Sequence, residues 1–175
     1  MTGDPRAPRT FLAWRWPGFN ERGSLVLTWP GFLHAFPLPG EWAIDGCLLQ
    51  RKQEFHLTVL GRHEAERVRG HVDDDAVRAC FEGFAWSPGA MTACWYLVSA
   101  DPDRRSIVAT FEAAALNPFR AQLAQRSGVD LSATVPHVTL FVSGSPKGIG
   151  IESVAAFEAL RRCRVDVFGP VPGRG

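Results

Sequence analysis

Two short stretches of this chain repeat one pattern: EFHLTVL around His56 and PHVTLFV around His137. Each sets a histidine two positions before a threonine inside an apolar run. In a β-strand successive side chains alternate faces, so residues i and i+2 point the same way. His56 and Thr58 therefore share one face, while Phe55, Leu57 and Val59 turn to the core. The second copy puts His137, Thr139 and Phe141 together and Val138, Leu140 and Val142 opposite. A single such triplet is weak, because short motifs recur by chance. A matched pair, each embedded in a strand pattern, is a much stronger signal.

The chemistry open to such a pair is proton transfer at two points. Cleavage of a phosphodiester needs a base to activate the attacking hydroxyl and an acid to protonate the departing oxygen, and histidine does either near neutral pH. Two imidazoles on opposite sides of one phosphate permit in-line displacement. Threonine hydroxyls beside them can donate hydrogen bonds to the non-bridging oxygens, where negative charge must be held. The scheme calls for no metal and no cofactor, and the sequence carries no HxH, HExxH or carboxylate cluster with metal-ligand spacing.

The totals narrow the class. A chain of 175 residues, 46% apolar and 21% charged, is one soluble globular domain able to bury a core without staples. The formal net charge of +1 argues against holding long nucleic acid, DNA above all, by charge alone. It is compatible with a small phosphate ester or an RNA end. Cys47, Cys80, Cys94 and Cys163 are scattered without a CxxC pair. They read as reduced thiols of a cytoplasmic protein rather than a disulfide or zinc framework. No apolar run is long enough for a membrane span, and the N-terminus lacks a signal-peptide segment.

Along the chain, residues 1–10 and 169–175 read as loose ends around a single domain, 11–168. Residues 11–16 and 25–29 are short strand candidates, each followed by a Pro-Gly turn signal. Residues 32–38 contain Pro37, which makes an edge or irregular segment. Residues 47–60 read as one long strand, with Gln50, Lys52 and Glu54 on the face of His56. Two helical pieces follow over 64–83, the second opened by Asp73–Asp75. A hairpin takes 91–100 and 106–111, and a helix takes 117–127, with Gly128 as its stop. The second motif strand spans 137–143. Ser153 caps a last helix over 154–163, and 165–168 form a possible terminal strand. The order is strands, histidine strand, helix, hairpin, helix, histidine strand, helix.

This arrangement resembles the two-histidine (2H) phosphoesterase superfamily, whose hallmark is a pair of H-x-[T/S]-x motifs. Here they are HLTV from His56 to Val59 and HVTL from His137 to Leu140. The stretches RKQEFHLTVLGR and PHVTLFVSGSPKGIGI are similar to the branch associated with Swiss-army-knife RNA repair proteins. The resemblance covers most of 40–168 and implies an α+β, bilobal fold: two antiparallel sheets with pseudo-twofold symmetry, helices outside and a central cleft. It implies that His56 and His137 are the acid–base pair and Thr58 and Thr139 the phosphate binders. The implied activity is opening of a 2′,3′-cyclic phosphate on a nucleotide or RNA terminus, to a 2′-phosphate; the chain is expected to act as a monomer. A 2′-5′ RNA ligase using the same four residues is the alternative within the family. A catalytically idle nucleotide- or RNA-binding module and a plain structural domain are the alternatives outside it.

Three further residues are candidate substrate contacts. Phe141 shares the face of His137 by alternation and is placed to stack on a base or sugar, with simple packing as the even alternative. Tyr96, the only tyrosine, lies on the hairpin and meets substrate if that strand lines the cleft; core or rim packing is the simpler reading. Lys147, in the Gly/Pro-rich loop after the second motif, is placed to meet a phosphate, with a solvated loop lysine as the alternative. His34, His63 and His71 lack a threonine partner and receive no role. Arg62, Arg67 and Arg69 read as a solvated helix face.

Overall fold

A computed structural model describes residues 13–165. The loose ends expected at 1–10 and 169–175, and most of the strand expected at 165–168, lie outside the described residues. The elements in order are β1 (Leu25–Thr28), α1 (Phe32–Ala35), β2 (Glu41–Ile44), β3 (Cys47–Arg51), β4 (His56–Leu60), α2 (Arg62–Arg69), α3 (Asp74–Glu82), β5 (Met91–Asp101), β6 (Arg104–Phe111), α4 (Leu116–Ser127), β7 (His137–Ser143), α5 (Val154–Leu160) and β8 (Arg161–Val165). The class is α+β with antiparallel sheets, as expected. The sheets are unequal: one has six strands in the order β2-β3-β7-β6-β5-β8, the other only β1 and β4.

Local signals set most boundaries. Asp73 accepts the Ala76 N–H at 2.7 Å and starts α3. Ser153 does the same for Ala156 at 3.0 Å and starts α5. Gly128, at φ +71°, ends α4 in a left-handed turn that an L side chain resists. The β5–β6 turn is held by Asp101, whose carboxylate accepts the N–H groups of Asp103 and Arg104.

Several boundaries differ from expectation, and Glu41–Ile44 forms a strand where none was expected. The long strand over 47–60 is two strands in two sheets. Lys52 still donates its N–H to Leu140 of β7 at 2.8 Å, but Phe55 is drawn into an aromatic cluster, stacked on Phe32 at 4.4 Å. Its carbonyl accepts from Trp29, and β4 pairs with β1 instead. Residues 32–38 open with one helical turn. Within the segment expected as a strand at 11–16, residue 13 onward is not strand; the Trp14 indole bonds to the Thr28 carbonyl and packs edge-on against Trp29. The last helix stops at Leu160, and the chain turns directly into β8, an edge strand of the large sheet.

The large sheet has two covered faces. Leu97, Ile107, Ala109 and Val138 face the main core, where Phe81, Leu116, Phe119 and Leu123 of the helices pack. On the opposite face, Val98 and Val108 pack under Ile149, Ile151 and Phe157 of the α5 region. The described residues contain no helix long and apolar enough to cross a membrane.

Among the described residues, Arg120 of α4 is the one arginine sunk in this interior, at 2% exposure. It forks onto Glu64 of α2 at 2.5 and 3.1 Å and reaches the carbonyls of Val59 and Ser132. A buried charge without its partner is strongly destabilising, whereas an apolar pair of similar volume is often tolerated. Glu64→Ala should therefore cost about 3–5 kcal/mol in urea unfolding. The double variant Glu64→Leu/Arg120→Met should recover most of that loss.

Candidate active site

The two motif strands meet at a cleft. After Lys52 the chain continues beside β7 without joining its ladder, and β4 runs next to β7 while hydrogen-bonding to β1. The cleft opens where these neighbours part. A cavity of about 310 Å³ there is lined by His56, Thr58, His137 and Thr139 together. Lys147 lines the same cavity, as do Lys52 and Glu54. A larger groove, about 540 Å³, adjoins it and shares Lys52 and Glu54 but contains none of the four motif residues. Gln50, expected on the histidine face, lies in that groove and pairs with Glu41.

His137 is 9% exposed. Its Nδ1 lies 2.8 Å from the Val135 carbonyl. A carbonyl only accepts, so Nδ1 must carry hydrogen, and the neutral ring keeps a bare Nε2 able to take a proton. Burial pushes this imidazole below the ordinary histidine pKa; the Val135 carbonyl works against that, and a charge on His56 lowers it further. His56 is more open, about one-third exposed. Burial again lowers its pKa most, the Glu54 carboxylate raises it and Lys52 lowers it. Glu54 Oε1 stands 3.4 Å from His56 Nδ1, close enough for charge attraction but too poorly aligned for a hydrogen bond. A positive charge on His56 disfavours a second one on His137.

Thr139 is pressed by the loop after β7. A Cβ on Gly148 would lie 3.0 Å from the Thr139 Oγ1. The bare backbone of Gly148 thus lets the loop carrying Lys147 close over the hydroxyl. Gly144, at φ +71°, faces the Asp103 carbonyl so closely that no side chain fits, which fixes where this loop leaves the sheet.

Two expected contacts lie elsewhere. Phe141 is fully buried in the main core, tilted against the Trp42 ring at 5.8 Å. The reason is a β-bulge: Val108 pairs with Thr139 but Ile107 pairs with Phe141, leaving Leu140 as an extra residue. The bulge breaks the alternation, so Phe141 turns away from the face of His137. Tyr96 is on the cleft side of the sheet but packs edge-on against Phe157, 5.4 Å between centroids, beneath α5. It does not line the cavity. Arg22 and Glu152, to which no motif spacing points, also line the cavity from distant segments, and Arg120 braces it through Glu64. Arg120 was visible as an arginine on the buried stripe of α4, among Leu116, Phe119 and Leu123. Among the described residues no group of three or more His, Cys, Asp or Glu converges to hold a metal ion.

Compared with known proteins, the chain matches no family model, no curated protein and no solved structure.

In an NMR titration both cleft imidazoles should titrate below the ordinary 6.5. Glu54→Gln removes a raising influence and should move His56 lower still; Lys52→Met removes a lowering one and should move it up. A shift in the opposite direction for either variant contradicts the assignment.

Proposed function

We propose that the protein is a 2H-type phosphodiesterase that opens the 2′,3′-cyclic phosphate of a nucleotide or RNA terminus. The observation that carries this reading is the convergence of both His-x-Thr pairs on one cavity. In this scheme His137 is the base: its bare Nε2 takes a proton from the attacking water. The water oxygen bonds to phosphorus and the bond to O3′ breaks. Protonated His56, favoured by Glu54, gives its proton to O3′, leaving a 2′-phosphate. Thr58 and Thr139 donate to the non-bridging oxygens, and Lys147 balances their charge. The imidazoles supply both proton transfers, so the scheme has no step that requires a metal. On this reading the two-stranded and six-stranded sheets are unequal lobes of the bilobal 2H fold, with β4 and β7 as its corresponding strands, and the protein works as a cytoplasmic monomer.

The test is hydrolysis of cyclic nucleotides and cyclic-ended RNA in the presence of chelator. His56→Ala and His137→Ala should each lower kcat by about 10²- to 10⁴-fold. Full activity in either variant, or no turnover of any such substrate by the wild type, rules the scheme out. Ligation of RNA ends without hydrolysis would favour ligase activity by the same residues.

The profile of kcat/KM against pH should be bell-shaped with its maximum below 6.5. The acid limb protonates His137, and the basic limb deprotonates His56, whose pKa burial holds down. Gly148→Ala, by crowding the Thr139 hydroxyl, should lower kcat while leaving the thermal midpoint nearly unchanged.

A further inference from the structure

The histidine cavity does not end at the motif residues. A second groove of about 520 Å³ opens beside β1 and shares Arg22, Lys52, Glu54 and His56 with it. The cross-strand neighbours of the first motif form its wall, since Thr28 pairs with His56 and Val26 with Thr58. A ligand whose phosphate lies between the histidines thus has a continuous path over His56 into this groove.

The cations along that path differ in how they are engaged. Lys52 donates to the Pro146 carbonyl at 2.8 Å, and Arg62 is paired with Glu66 at 2.8 Å. The Arg22 side chain makes no hydrogen bond or ion pair with any described residue. The backbone from which it projects is nevertheless fixed. Asn20 accepts the N–H groups of both Arg22 and Ser24 through its side chain, and the backbone of Asn20 closes the turn with Ser24 and Gly23. An exposed guanidinium with no partner among the described residues, on a pinned turn at the junction of two cavities, suits bidentate capture of a phosphate.

Resting on the phosphodiesterase reading, we propose that Arg22 receives a second phosphate. The substrate is then an RNA end at least two nucleotides long, with the cyclic phosphate in the histidine cavity and the preceding internucleotide phosphate at Arg22. Glu21 lines the same groove and opposes an anion there, which makes binding depend on the arginine.

The test compares cytidine 2′,3′-cyclic phosphate with a cytidylyl dinucleotide ending in the same cyclic phosphate, on the full chain. Wild type should prefer the dinucleotide by about tenfold or more in kcat/KM. Arg22→Ala should shrink that preference to about twofold, with Arg22→Lys in between. A parallel binding measurement uses the dinucleotide with an open terminal phosphate, followed by fluorescence anisotropy. Arg22→Ala should weaken binding about tenfold and flatten the salt dependence by about 0.7 in log–log slope, the value for one phosphate contact on a single strand. Glu21→Gln should tighten it. An equal loss on both substrates, or dinucleotide binding indifferent to Arg22→Ala, overturns the proposal. If no cyclic phosphate is turned over, the proposed reaction fails, and the anisotropy series alone decides whether Arg22 holds a phosphate.

Discussion

A buried ion pair, Arg120 with Glu64, braces the cleft from behind. Arg120 sits on α4 with its guanidinium in the interior, and its donors spread over four segments. Val59 follows Thr58 directly; Glu64 opens α2; Ser132 lies on the approach to His137; Glu152 precedes α5. Taking a guanidinium out of water costs several kcal/mol, and only a geometry that satisfies its donors offsets that. The same requirement that keeps Arg120 paired therefore ties β4 and the start of α2 to the segment that leads into β7. Glu64 does double service, since its carboxylate also accepts the Gly61 N–H at the start of α2.

The cleft is a place where a sheet comes apart. β3 and β7 are laddered, Lys52 makes one more bond to β7, and then the chain departs to join β1. Continued pairing would have closed the space that the two imidazoles now line. The partial dryness of that space holds both imidazoles near neutrality, and Glu54 beside only one of them breaks the symmetry. The two imidazoles thus sit in different surroundings although their sequence motifs are nearly identical.

Much of this was legible in the chain. Asp73 and Ser153 announced their helices because a capping side chain acts within three residues, and Gly128 announced an end because its backbone conformation is local. The β5–β6 hairpin was legible for the same reason. The side of the sheet on which Phe141 falls was not, because one extra residue in β7 reverses the alternation, and the bulge is decided by pairing with β6. Nor was the break between β3 and β4, which depends on Phe55 finding Phe32 across the fold. Tyr96 was placed on the correct strand, but the helix that covers it comes from nearly sixty residues later.

The sequence by itself determined that each histidine shares a face with its threonine, because alternation along a strand is a property of the backbone. It also determined an α+β chain with helices at the capped segments, since those signals act over a few residues. Only the tertiary structure decided that the two pairs look into one cavity, that Glu54 stands beside His56 and a carbonyl beside His137, and that Arg120 joins β4 to α2 and to the segment before β7. Those relations join residues far apart in the chain, and close packing of a shared core is what brings them within interaction range.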